Sequence, residues 1–466
     1  MYIEQLYTSC LSEAAYYIES KGEVIIIDPL RDTDDYIALA NKRNAKIKYI
    51  FETHFHADFV SGHIDLADKT GATIVYGPNA KTTFTKYDAK DGEEFSIGNV
   101  TIKVLHTPGH TLESTCYLLT DEQKNPNALF TGDTLFVGDV GRPDLFSGNL
   151  TKEELASYLY DSLNRIKQLP DHVKVYPAHG PGSSCGKNLG PNTFSTIGEE
   201  KISNYALKEQ TKEEFIQAIT EGLNKPPVYF PLNAKINQQG YASLDEIKRI
   251  GLTPLSIADL KKLRSENVII LDTRPATIFT QGFVASSISI GLEGRFAEWA
   301  GVMLPFHERM ILVTEAGKEE ETLVRLARVG FDQIIGYLDG GFDAWKNAGE
   351  EIDLIVDIEA DELKMDLNYD TNMVVVDVRK EMEFNNGHVK SALNIPLDTM
   401  TDLGIISNFE DNDNLYIHCA GGYRSVIASS ILKRQGIHNL RNVLGGFGKI
   451  KEVPEMPLVA AKEVLN

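Results

Sequence analysis

"VIILDTRPATIFTQGFVASSISI" (residues 268–290) returns 105 positions later as "MVVVDVRKEMEFNNGHVKSALNI" (373–395). The match runs on, "LDGGFDAW" (338–345) answering "VLGGFGKI" (443–450) at the same shift. A period this long is no solenoid unit, so it predicts a duplicated small domain. Each copy alternates apolar strand and helix, the pattern of an α/β domain with a parallel sheet.

Working outward, 466 residues leave room for a further, larger domain ahead of the repeat. From residue 1 to about 195 the chain reads as short strands between helices. The strands are "EVIIID" (23–28), "IKYIFE" (47–52), "ATIVYG" (72–77), "VTIKVLHT" (100–107), "STCYLLT" (114–120), "NALFTGD" (127–133) and "HVKVYPAHG" (172–180). Each is an apolar or alternating run bounded by turn formers. Helices fit residues 32–43 and 151–166, the second opening on a threonine with an acidic first turn, and "EEFIQAITEGL" (213–223). "NKPPVYFPLNAKINQQG" (224–240) reads as a proline-rich, irregular connector. Domain boundaries are expected at 1–250, 253–352 and 355–466.

A formal net charge of −21, with no large basic cluster, argues against a nucleic-acid partner. No apolar run approaches the roughly 20 residues of a bilayer span, and the N-terminus "MYIEQLYTSC" lacks a leader pattern, so a cytoplasmic location without membrane contact is expected. Four scattered cysteines do not suit a disulfide scaffold. Cys10 and Cys116 are read as buried structural thiols.

The chemistry of the first region starts at "THFHADFVSG" (53–62), which brings His54, His56 and Asp58 together. His110 in "HTPGHT", Asp133 in "FTGDT" and His179 in "YPAHG" sit at later strand ends, where sheets present functional side chains. One loop histidine is ordinarily solvated or hydrogen bonded; four histidines and two aspartates in this order suggest a shared metal site.

On these motifs, residues 1–250 resemble the metallo-β-lactamase superfamily, which implies a four-layered αββα sandwich. Many members carry a fuller "HxHxDH" motif and two zinc ions. Here Phe59 stands where the last histidine would be, and a phenyl ring has no lone pair for a metal. One metal is therefore expected. Two imidazoles and one carboxylate with open positions suit non-haem Fe(II). Within the superfamily the sequence closely resembles the persulfide dioxygenases, which implies one Fe(II) per chain held by His54, His110 and Asp133. His56, Asp58 and His179 then orient ligands and water through hydrogen bonds. In "VGDVGRPDLF" (137–146), Arg142 is either an anion contact or the partner of Asp139 or Asp144. Cys185, in the Gly-rich stretch 178–190, is either near the substrate or a structural loop cysteine.

The repeats resemble rhodanese domains, sulfurtransferases that carry sulfane sulfur on a cysteine. In the second copy "NLYIHCAGGYRSVIASSILKRQG" (414–436) reads as strand, tight loop and helix. Cys419 opens the loop, Ala420, Gly421, Gly422 and Tyr423 form it, and Arg424 closes it at C-x-x-x-x-R spacing. Backbone N–H groups and a helix N-terminus at such a loop stabilise anionic sulfur. In the first copy "MILVTEAGKEEET" (310–322) places Glu315 or, at a strict shift of 105, Thr314 opposite Cys419. Neither is a thiol, so this copy is read as degenerate.

The whole chain thus resembles a persulfide dioxygenase fused to an inactive and an active rhodanese domain. That implies oxidation of a low-molecular-weight thiol persulfide by O2 to sulfite and free thiol, in the setting of hydrogen sulfide detoxification. It also implies sulfur transfer on Cys419 that forms or uses thiosulfate. The partners it implies are these small molecules; whether the chain forms a homo-oligomer is left open by the sequence. The alternatives are a two-zinc thiolester hydrolase of the glyoxalase II type fused to a rhodanese sulfur carrier, and a non-enzymatic carrier or sensor acting through Cys419 alone.

Overall fold

The computed structural model describes residues 1–145, 150–407, 409–410 and 412–460. Phe146, at the end of the 137–146 segment, and residues 461–466 of the third expected domain lie outside it. The chain forms two compact units, residues 1–246 with 324–332, and residues 247–323 with 333–466.

In the first unit two six-stranded sheets stack face to face. One sheet starts with the antiparallel strands Tyr2–Thr8, Glu13–Ser20 and Glu23–Ile27, and continues with the parallel Lys46–Glu52, Thr73–Tyr76 and Tyr87–Asp88. The other runs from Glu94–Ile97 through Val100–His106, Thr115–Thr120, Pro126–Gly132 and Lys174–Pro177 to Ser195–Thr196. Between them Tyr16, Ile25, Phe51, Val104, Tyr117 and Phe130 form a fully buried layer. The helices Asp34–Lys42 and His63–Thr70 cover the outer face of the first sheet, and Lys152–Ile166 and Lys212–Thr220 that of the second. This is the expected αββα sandwich.

Thr151 caps the helix Lys152–Ile166 in a reciprocal box with Glu154, as the threonine and acidic first turn predict. Two strands, Tyr2–Thr8 and Glu13–Ser20, were not legible in the sequence. "EAAYYIES" is buried along almost its whole length, so it lacks the polar alternation of a half-exposed strand. The connector 224–240 is also corrected: Phe230–Gln239 is a helix, with Pro231 in its first turn, where a missing N–H does no harm. Cys116 is fully buried as expected, its thiol pushed up to about 11 by that burial, whereas Cys10 is only half-buried.

The second unit holds two five-stranded parallel sheets, one per repeat copy. The first has the spatial order Pro254–Leu255, Ile334–Leu338, Met310–Val313, Ile269–Asp272, Ile288–Ser289. The second repeats that order with Val356–Ile358, Leu440–Val443, Asn414–His418, Met373–Asp377, Leu393–Asn394. Among the described residues no helix is long and apolar enough to cross a membrane.

Candidate functional site

In the first unit the metal-seeking side chains all leave the C-terminal ends of strands. His54, His56 and Asp58 follow Lys46–Glu52, His110 follows Val100–His106, Asp133 follows Pro126–Gly132, and His179 follows Lys174–Pro177. The six residues are buried and fall into two trios. Within each trio the donor atoms lie within 4.8 Å of one another: His54, His110 and Asp133 in one, His56, Asp58 and His179 in the other.

Asp133 Oδ2 lies 3.8 Å from His54 Nε2 and 3.4 Å from His110 Nε2, and Asp133 Oδ1 lies 3.5 Å from His179 Nε2. Neither Asp133 oxygen makes a hydrogen bond, nor does His179 Nε2, although all are buried. A buried carboxylate left without donors is strongly destabilising, so the donor set fits a bound cation.

The imidazoles are set for ligation by their other nitrogens. His110 Nδ1 donates to the carbonyl of Arg142 at 2.8 Å, and His179 Nδ1 to that of Ser12 at 3.2 Å. A carbonyl only accepts, so in its neutral form each ring turns a bare Nε2 to the centre. At His54 the order is set through two links. The Thr53 hydroxyl donates to Asp28 Oδ2 at 2.8 Å and so accepts from His54 Nδ1 at 2.9 Å.

Burial, then the neighbouring His56, His110 and His179, hold His54 well below the usual imidazole range; burial also lowers His110. At His179 burial pulls downward, but Asp133 and Asp58 together raise it. Burial raises Asp58 against the pull of His179 and His56.

Phe59 is fully buried and lies against His56, ring centroids 4.3 Å apart. Its ring thus occupies space beside the second trio without offering a donor. His56 itself places Nε2 within 3.1 Å of Asp28 Oδ1 and 3.7 Å of Glu52 Oε2.

The tentative substrate contacts divide. Arg142 directs Nε and Nη2 to the two oxygens of Asp144, each at 2.7 Å, and Nη2 also to the carbonyl of Asn224. Its fork is thus closed by an ion pair, and Asp144 rather than Asp139 is the partner. Cys185 does reach the centre, since its sulfur lies within 4.8 Å of donor atoms of Asp133 and His179. Burial, then Asp58 and Asp133, push its thiol well above the usual range. In the Gly-rich stretch, the N–H groups of Lys187 and Asn188 already bind Asp139 Oδ2, at 2.7 and 2.6 Å.

Asn237 escaped the sequence reading. From the helix Phe230–Gln239 its Nδ2 donates to the carbonyls of His56 and Phe59, at 2.8 and 2.7 Å, and its Oδ1 accepts from Ser61 N at 2.9 Å. It therefore fixes the metal-motif loop from 176 positions away. The only sequence signal was Pro231, a good first-turn residue that would have marked the helix.

In the second unit Cys419 follows the strand Asn414–His418 and is buried. Its Sγ accepts from Gly422 N at 3.1 Å, so the loop does curl around the sulfur. Gly422 has φ +105°, a conformation that favours glycine, and leads into the helix Tyr423–Arg434. Arg424 closes the loop by a fork onto Glu383, at 2.7 and 2.8 Å.

Strand register settles the first copy. Asp377 pairs with His418, and Asp272 pairs with Val313, so Thr314 rather than Glu315 stands where Cys419 does. Arg424 then corresponds to Glu319, which opens the helix Glu319–Ala327.

The family model of the metallo-β-lactamase superfamily matches residues 9–179, and that of the rhodanese-like domain matches residues 256–348 and again 359–452. A hydroxyacylglutathione hydrolase of Pelagibacter ubique is 32% identical over 236 residues, covering 44% of this chain and 93% of that one. A solved metallo-β-lactamase from Staphylococcus aureus is 34% identical with a TM-score of 0.65, over 72% of this chain and 98% of its own. ETHE1 from Myxococcus xanthus is 32% identical with a TM-score of 0.44, over 51% of this chain and 98% of its own.

Proposed function

Because the chain belongs to the metallo-β-lactamase superfamily and carries two rhodanese-like domains, we propose that it couples oxidation of a thiol persulfide to sulfur transfer. On this reading residues 1–250 form the dioxygenase, 253–352 a degenerate rhodanese domain and 355–466 an active one. The observation that carries it is Phe59: its ring lies on His56 where a further donor would be needed, leaving His54, His110 and Asp133 as a site for one ion.

Two imidazoles and one carboxylate are the donor set of mononuclear non-haem iron, and Fe(II) held there would supply open positions for O2 and the persulfide sulfur. The reaction balances as R–S–SH + O2 + H2O giving R–SH + SO3²⁻ + 2H⁺. The outer sulfur loses four electrons, and O2 gains them. The chain's own work is positional. Thr53 with Asp28, and the carbonyls of Arg142 and Ser12, fix three imidazole tautomers, while Asn237 fixes the loop between His56 and Ser61. On this reading Cys185, whose sulfur lies near Asp133 and His179, meets the thiol portion of a substrate, whereas the Arg142 carbonyl supports the His110 side of the site. In the second unit Cys419 carries the sulfane sulfur. Attack of sulfite on its persulfide breaks the S–S bond, forms thiosulfate and returns the Cys419 thiolate.

Oxygen uptake with glutathione persulfide and coenzyme A persulfide, measured beside metal content, tests the first step. One iron per chain is expected, and His54→Ala, His110→Ala or Asp133→Ala should each remove iron and uptake together. A second reading, a two-zinc thiolester hydrolase of the glyoxalase II type, is favoured by the buried His56, Asp58 and His179 trio and by the name of the Pelagibacter relative. Two zincs per chain with thiolester turnover and no oxygen uptake would replace the first reading by this one.

A further inference from the structure

A line of hydrogen bonds leads away from Cys419 inside the second unit. Cys419 Sγ lies 3.7 Å from Ser425 Oγ. Ser425 Oγ lies 2.7 Å from Asn442 Oδ1 and 3.0 Å from the carbonyl of Gly422. Asn442 Nδ2 donates to Asp357 Oδ1 at 2.8 Å, and Thr280 of the first rhodanese-like copy donates its hydroxyl to Asp357 Oδ2 at 2.6 Å. Ser425, Asn442 and Thr280 are all buried.

The chemistry of the far end sets the direction of the whole line. An ionised carboxylate only accepts, so Asn442 must face Asp357 with its NH2 and Ser425 with its carbonyl oxygen. Ser425 then meets two acceptors, the Asn442 amide oxygen and the Gly422 carbonyl, and its single hydroxyl hydrogen goes to one of them. What remains toward Cys419 is a lone pair.

We propose that Asp357, Asn442 and Thr280 are positioning residues that make Ser425 a hydrogen-bond acceptor for the Cys419 thiol. The S–H points at Ser425 while the sulfur receives the Gly422 N–H. Loading sulfur replaces S–H by S–S, so two lone-pair-bearing atoms then face one another and the loaded sulfur is turned away from Ser425. The degenerate copy takes part through Thr280.

A second observation agrees. Asp357 pairs with Asn442 across adjacent strands, and the equivalent pair in the first copy is Pro254 with Tyr337. Pro254 offers no polar side-chain atom where Asp357 stands, so the line as built here belongs to the copy that has the cysteine.

The other charged groups around the loop are Arg424 forked onto Glu383, Arg379 forked onto Asp377, His418 on the strand before Cys419, Lys449 paired with Glu452 on the neighbouring helix, and exposed Glu293. They are unchanged in the variants compared below.

The test is the pH dependence of alkylation at Cys419 in the full chain, read by iodoacetamide labelling of its own peptide so that Cys10, Cys116 and Cys185 do not contribute. Ser425→Ala should lower the midpoint by roughly half to one unit, because the thiol loses its acceptor. Ser425→Thr, which keeps the hydroxyl, should restore it, and Ser425→Gly serves if the alanine variant does not fold. In an Asp357→Asn background the Asn442 amide is free to turn and Ser425 to donate, so Ser425→Ala should there raise the midpoint. Comparing pairs within each background removes the direct effect of the lost Asp357 charge.

A rise on Ser425→Ala with Asp357 present, or no reversal of sign without it, overturns the proposal. The proposal rests on reading Cys419 as the sulfur carrier only for its consequence in turnover. Sulfur loading from thiosulfate is a separate measurement, and its failure would overturn that reading rather than the line.

Discussion

Arg274 in the first rhodanese-like copy and Arg379 in the second make the same contacts 105 positions apart. Each forks onto the aspartate two residues before it, Asp272 or Asp377, and donates to a carbonyl, Gly282 or Gly387. Each guanidinium also lies over a phenylalanine, Phe342 at 4.1 Å or Phe447 at 3.9 Å. Both sheets have the same strand order.

The copies part at one loop and its surroundings. Cys419 and Arg424 in the second become Thr314 and Glu319 in the first, and Asp357 with Asn442 becomes Pro254 with Tyr337. The frame and the chemistry are therefore separable. Buried ion pairs and parallel strands hold a rhodanese-like sheet without a thiol, because their partners lie in the sheet and its edges rather than in the loop.

The largest expected effect breaks the comparison at the thiol. Cys419→Ser should reduce sulfur transfer from thiosulfate by on the order of 10³-fold or more, since Thr314 offers no second carrier. Persulfide-dependent oxygen uptake, measured on the same protein, should persist. Continued sulfur transfer would point to Cys185 or Cys10.

The next test asks whether the frames are equivalent. Arg379→Met and Arg274→Met each leave a buried aspartate without its partner and should destabilise their copies by about 3–5 kcal/mol, read from denaturant midpoints. A large loss for one and none for the other would show that the degenerate copy is no longer held by the same pair.

A smaller effect separates the copies at a tight approach. A Cβ on Gly446 would come within 2.3 Å of the Cys419 carbonyl oxygen, whereas one on Gly341 would meet the Thr314 carbonyl oxygen at 3.0 Å. Both glycines have positive φ, so each alanine variant should lose roughly 1 kcal/mol in strain, with more for Gly446→Ala. Gly446→Ala should also slow sulfur transfer, and a rate equal to that of Gly341→Ala would show that the loop does not depend on this contact.

The smallest expected effect is none. Thr314→Cys in a Cys419→Ser background should not restore sulfur transfer, because Glu319 replaces the closing arginine and Glu320 and Glu321 follow it in the first turn of the helix. Sulfur bound at residue 314 would mean that the backbone loop alone suffices.

The sequence by itself determined the duplication, the alternation of strands and helices, the metal-seeking residues and the C-x-x-x-x-R loop. Each is legible because its signal is local: apolar periodicity, turn formers, and reactive side chains a few positions apart. Only the tertiary structure decided that Arg142 closes on Asp144 and that Cys185 comes beside Asp133 and His179. It also decided that Asn237 holds the His56 loop and that Thr314 is the counterpart of Cys419. The line from Cys419 to Thr280 joins five residues from four separate segments. Partners as far apart in the chain as Asn237 and His56, or Asn442 and Asp357, leave no spacing to read; they are chosen when sheets set their register and bring strand ends together, each buried polar atom taking the donor or acceptor that packing places beside it.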